Sequence, residues 1–193
     1  MLVTGQLNHW VSSFRSRHQR LNTGKLVWPL LKVFRYFLLK TYFFNITSTS
    51  LLSEYAFVTG GWSPKNSVTE LLDINSEQWT TRASYPYATD ISNYVSFYYQ
   101  SSFIVFGCFN SGTYLATIAS YNPASNSWTK LGDLNFARTH HTGVRSLNSF
   151  YIYGGQTKEE TYPNEKCTLI GNSIECTLQD NPLDRSVDYL FYI

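Results

Sequence analysis

Few residues of this chain are equipped for chemistry: His140 and His141 side by side, Arg138 just ahead of them, the carboxylates Glu159 and Glu160, and the cysteines Cys108, Cys167 and Cys176. Convergent His, Cys and Tyr ligands around one open position would make a copper oxidase site, and two carboxylates at a set separation would make a glycosidase. Adjacent strand residues point to opposite faces, so His140 and His141 are not expected to share a metal; one of them packs or hydrogen-bonds within its sheet. Glu159 and Glu160 stand beside a loop and read as solvated charge. The sequence has no Gly-x-x-x-x-Gly-Lys-Ser/Thr phosphate loop, no Gly-x-Ser-x-Gly elbow, no His-Glu-x-x-His pair and no Cys-x-x-Cys. No catalytic residue, metal ligand or cofactor is expected.

Cys167 and Cys176 flank TLIGNSIE, whose Gly171-Asn172 centre with alternation on either side predicts a β-hairpin. Such a hairpin brings the two sulfurs together if its register agrees; otherwise they stay separate thiols. Cys108 is left over. Asn45-Ile46-Thr47 has the form of a glycosylation acceptor at Asn45. The cysteine pair and this tripeptide point to an extracellular or membrane-associated setting, with the cytoplasm as the alternative.

The elements that position these residues are announced by glycines. YAFVTGG at 55–61, SFIVFGC at 102–108 and FYIYGG at 150–155 place Gly60, Gly107 and Gly154 47 residues apart, twice over. Each run is four or five apolar residues closed by glycine, a short strand and a turn. Val58, Val105 and Ile152 lie two positions before the glycine, and Phe57, Ile104 and Tyr151 three before. Both faces of such a strand are apolar, so both must be covered. Trp79 follows Gly60 by 19 residues and Trp128 follows Gly107 by 21, each after a strand-like stretch and an Asn/Ser turn. Each tryptophan is expected to pack near the glycine strand of the next unit, and Cys176 stands about where the third unit's tryptophan would be.

A period near 50, the doublets Gly60-Gly61 and Gly154-Gly155, Trp79 and Trp128 after their turns, and Arg138-x-x-His141 ahead of the next strand resemble kelch repeats. The resemblance covers 54–193 and departs in places: Gly107 is followed by Cys108, and Ile91 and Tyr94 stand where Arg138 and His141 would be one repeat earlier. It implies an all-β fold, a partial kelch-type β-propeller of about three four-stranded blades at about 54–86, 87–136 and 137–193. Three blades do not close a ring. The end blades are therefore expected to expose apolar faces, AFVTG on one side and DYLFYI on the other, and either to self-associate or to depend on further repeats.

The first 53 residues hold seven Lys and Arg and no acidic residue, whereas the rest holds eight basic against thirteen acidic. This charge shift sets a domain boundary near 53. Within the extension, helical or disordered, residues 26–44 are densely apolar but carry Lys32, Arg35 and Lys40. Three cations argue against a membrane span, and the run begins late for a signal peptide. A basic amphipathic helix at a membrane surface and an extension without a targeting role both remain open. The acidic balance of residues 54–193 argues against nucleic acid as a partner.

The kelch resemblance implies a non-catalytic protein-interaction module that offers its loops to a protein partner, with Trp62, Tyr114, Arg138 and His141 as candidate binding residues. Arg138 has a second reading, a structural hydrogen bond between neighbouring blades. The alternative function is a fragment of an extracellular propeller enzyme, of copper oxidase or glycosidase type, with its catalytic residues outside this chain.

Overall fold

The computed structural model describes residues 50–51, 55–62, 65–158 and 164–179, all within the compact unit Phe37–Ile193. The expectations for Asn45, for residues 26–44, for Glu159 and Glu160 and for DYLFYI lie outside these residues, as does the side chain of Trp62. Among the described residues no helix is long and apolar enough to cross a membrane.

Among the described residues twelve strands form three four-stranded antiparallel sheets, each a simple meander. The first joins β1 (Ser50–Leu51), β2 (Tyr55–Trp62), β3 (Lys65–Asp73) and β4 (Gln78–Arg82); the second joins β5 (Val95–Tyr99), β6 (Ser102–Asn110), β7 (Thr113–Asn122) and β8 (Ser127–Asp133). The third joins β9 (Thr142–Ser146), β10 (Ser149–Tyr153), β11 (Asn164–Ile170) and β12 (Ser173–Gln179). The fold is all-β, and its glycine-closed strands are β2, β6 and β10. β1 pairs with Phe57 and Ala56 of β2, so the first sheet starts on the N-terminal side of residue 54.

β6 shows why apolar residues are needed on both of its faces. Phe103, Val105 and Cys108 join Ala119 and Tyr121 against Phe57 and Leu71 of the first sheet. Ile104, Phe106 and Ile118 face Phe150, Ile152 and Ile174 of the third. Phe57 lies flat on Phe103, ring centroids 4.6 Å apart and 9° from parallel, while Phe106 and Phe150 meet at 5.0 Å. Burying one such ring contributes about 1.5–3 kcal/mol, so these stacked faces are the main source of cohesion between sheets.

The glycines end these strands for a conformational reason. Gly60, Gly107 and Gly154 have φ of 68°, 53° and 60°, and the β2–β3 and β6–β7 ladders shift register across Gly60 and Gly107. A Cβ on Gly60 would collide with the Ile91 carbonyl oxygen, and one on Gly107 would stand 2.9 Å from that of Arg138. The first glycine of the doublet is the demanding one. Cys108 fills the second position of the middle unit and is fully buried there.

Three expectations are corrected. AFVTG does not present a bare end face: Ala56 and Val58, on the side of β2 away from the second sheet, are only 4% and 2% exposed. Trp128 packs against the unit before it, 6.0 Å from Phe57 and 4.9 Å from Tyr85, with Nε1 donating to the Ala83 carbonyl at 2.9 Å. Trp79 and Trp128 are equivalent, each second in its strand and paired with Leu72 or Tyr121, but the third unit's counterpart is Ile174, paired with Leu169, and not Cys176.

Candidate functional site

Residues 83–94 and 134–141 link successive sheets, and both run the same course. Tyr85 N donates to Ser67 O at 2.8 Å and Leu134 N to Ala116 O at 2.8 Å; Ile91 N then donates to Asn66 O at 3.0 Å and Arg138 N to Leu115 O at 3.3 Å. Ser92 bridges to Phe109, and 47 residues on Thr139 bridges to Gln156. The linkers thereby run beside the ends of the glycine strands and the turns that follow them. At this end the Asp90 carboxylate accepts from the Ser111 main-chain N at 2.9 Å and from its hydroxyl, fixing the β6–β7 turn to the linker. Thr89, Ser111, Gly112, Thr113, His140 and Gln156 are exposed here, forming a polar rim. Tyr114, opposite Phe109 in the β6–β7 ladder, is half-buried with its ring 6.0 Å from that of Phe109.

Arg138 is not on the rim surface. Side chains of Arg138 and Glu165 are both 0% exposed and pair at 2.7 Å. Nη1 of Arg138 also donates to the Gly154 carbonyl at 2.9 Å. Glu165 in turn accepts from Asn135 N at 2.7 Å, Asn135 Nδ2 at 2.9 Å and Phe136 N at 3.3 Å. A buried carboxylate needs such saturation, and here it ties the linker to β11. The Arg138 side chain is thus structural, but its bonds join the linker to Gly154 and Glu165 of the third unit and not to the neighbouring sheet; Glu165 carries no repeat or motif that would single it out in the sequence.

His141 is buried beside this pair, and it precedes β9 instead of lying on a strand; His140, with φ of 55°, stays exposed. Burial, then the neighbouring Arg138 charge, push the His141 pKa down to about 3. The ring is therefore neutral, and its Nε2 donates to the Phe106 carbonyl at 2.9 Å. Tyr94 does the same one repeat earlier, its hydroxyl donating to the Thr59 carbonyl at 2.8 Å. Burial raises the Tyr94 pKa and pushes the Cys108 thiol up to about 12, so neither is an activated group at neutral pH.

Cys167 and Cys176 face each other directly across the β11–β12 ladder and form a disulfide, and Gly171, with φ of 61°, supplies the positive angle that the hairpin turn needs. Among the described residues Glu165, Cys167 and Cys176 bring potential metal-ligand atoms within 4.8 Å. The two sulfurs are bonded to each other and the carboxylate is saturated, so this group does not fit a metal.

No protein-family model matches the chain. Kelch repeat and BTB domain-containing protein 1 of cowpox virus (strain GRI-90) is 27% identical over 135 residues, or 64% of this chain. Kelch repeat and BTB domain-containing protein A55 of vaccinia virus (strain Western Reserve) is likewise 27% identical over 135 residues. The chain spans 24% of the length of each of these relatives. Among solved structures, that of the kelch-type propeller YjhT superposes with a TM-score of 0.59 at 15% identity, covering 72% of this chain and 52% of that one. The 47-residue spacing, the repeated linker bonds and these relatives agree: the chain is similar in sequence to kelch repeat proteins and has the fold of a kelch-type β-propeller.

Proposed function

We propose that the chain is a non-catalytic protein-interaction module whose binding surface is the rim at the glycine ends of its sheets. The observation that carries this is the fixing of the rim: Asp90 holds Ser111, Ser92 bridges to Phe109 and Thr139 bridges to Gln156, so exposed side chains from different repeats are held in one arrangement before a partner arrives. Such preorganisation lowers the ordering cost of binding. Polar groups on fixed turns beside half-buried aromatics such as Tyr114 suit a protein surface better than a small molecule, which needs a deep apolar pocket. The Cys167–Cys176 bond supports an oxidising, extracellular or membrane-associated setting.

Affinity capture from an extract of the cells that express the protein tests this. Thr113→Arg and Gln156→Arg on the rim are expected to lower recovery of a bound protein about tenfold or more, in the range of interface hot spots, while Ser125→Arg in the β7–β8 turn leaves it unchanged. Equal recovery with all three variants would overturn the reading.

A further inference from the structure

The face of the third sheet turned away from the second has no other described strand against it, and Val144 and Ile170 on it are 52% and 53% exposed. The repeat says what this face is for. One period earlier, Val144, Tyr151 and Tyr153 correspond to Phe97, Ile104 and Phe106, the side chains through which the second sheet receives the third; Phe97 lies 5.4 Å from Phe150. Tyr151 and Tyr153 keep aromatic bulk at these places, and both are half-buried.

The chain also contains the matching occupant. Residues 89–99 read TDISNYVSFYY and residues 183–193 read LDRSVDYLFYI. At a distance of 94 residues, two periods, Asp90, Ser92, Phe97 and Tyr98 recur as Asp184, Ser186, Phe191 and Tyr192, and Arg185 stands 47 after Arg138. We propose that residues 183–193 are the linker and first strand of a further repeat, and that residues 189–193 dock on the outer face of the third sheet.

Side-chain sizes fit this docking. Between the second and third sheets Phe97 presses on Gly143, where an added Cβ would stand 3.0 Å from the ring; the corresponding pair is Val144 with Leu190, so a large residue on none becomes a smaller residue on a large one. Arg145 lies over the Tyr99 ring at 5.1 Å, and there the corresponding pair is Ser146 with Tyr192. The first exchange adds side-chain volume and the second removes it, so the two together roughly keep the combined volume, as a packed interface requires. Asp188 falls where Tyr94 and His141 stand, and an ionised carboxylate cannot donate to a carbonyl, so that one bond is not repeated. A second copy is the poorer occupant, because the face it would offer head to tail, Ala56 and Val58, is already buried.

The full chain carrying Val144→Cys and Leu190→Cys tests the proposal, oxidised by diamide at low concentration and mapped by non-reducing peptide analysis. A disulfide joining positions 144 and 190 within one molecule is expected. A bond between two copies, or two free thiols in the folded protein, would overturn it. If the double variant does not fold, hydrogen exchange on the unaltered chain decides: amides of residues 189–193 are expected to exchange about a hundredfold or more slower than in an unstructured peptide, and exchange at the peptide rate would overturn the proposal.

Discussion

The Tyr94 hydroxyl donates to the main-chain carbonyl of Thr59 at 2.8 Å, at the residue just before Gly60, and so crosses from the linker of one repeat to the glycine strand of the repeat before it. His141 makes the same crossing to Phe106, just before Gly107. The function conserved between the two is a buried donor at one place, not a side-chain type, and unmet carbonyls in such a place cost about 1–3 kcal/mol. His141→Tyr is therefore expected to keep the fold and most of the stability, whereas His141→Ala loses roughly 2 kcal/mol or more. Urea unfolding of the two variants checks this order.

The same histidine sets an acid limit. Its pKa falls from 6.5 unfolded to about 3 folded, so below pH 6.5 the unfolded chain takes up a proton that the folded chain refuses. Stability is expected to drop as pH falls from 6.5 towards 3, with a His141 share of at most about 1.4 kcal/mol per pH unit. Unfolding free energies measured at several pH values should show a shallower slope for His141→Tyr over that window; parallel slopes would contradict the assignment.

Glycine substitutions separate conformational strain from crowding. Gly60 has a positive φ and the Ile91 carbonyl directly over it, whereas Gly171 has a positive φ with nothing within 4 Å of an added Cβ. Gly171→Ala is expected to cost about 1 kcal/mol, and Gly60→Ala clearly more, because the linker must move. Thermal denaturation of the two variants side by side measures the difference.

Breaking the Arg138–Glu165 pair strands a charge away from water. Glu165→Ala is expected to destabilise by about 3–5 kcal/mol, the range for removing one partner of a buried ion pair, and Lys130→Ala, which breaks the exposed Lys130–Asp133 pair, by no more than about 1 kcal/mol. Chemical denaturation of both variants checks the contrast.

Trp128→Ala is expected to cost about 3–5 kcal/mol, as large aromatic truncations do. The substitution removes ring contacts to Phe57, Tyr85 and Tyr121 together with the bond to Ala83. Unfolding followed by circular dichroism measures it.

The sequence made β2, β6 and β10 legible because a strand covered on both faces has a composition that few other segments share, and glycine marks where each must bend. The Cys167–Cys176 hairpin was legible because Gly171-Asn172 sets its register. Other features were not. Ile91 and Tyr94 looked like departures from Arg138 and His141, since the identity of a side chain hides the carbonyl that it meets. The direction in which Trp128 packs depends on which face of β8 meets which sheet, and spacing along the chain does not encode that. Glu165 lies 27 residues from Arg138, and only the folded sheet brings them together.

The central claim, a protein-binding rim at the glycine ends, is tested most directly by photo-crosslinking from two positions in the full chain. A benzophenone side chain placed at Thr113, on the rim, is expected to form a covalent adduct with a partner protein in cell extract, and the same group at Ser125, in the β7–β8 turn, is expected to form none. Adducts from both positions alike, from Ser125 alone, or from neither would contradict the account.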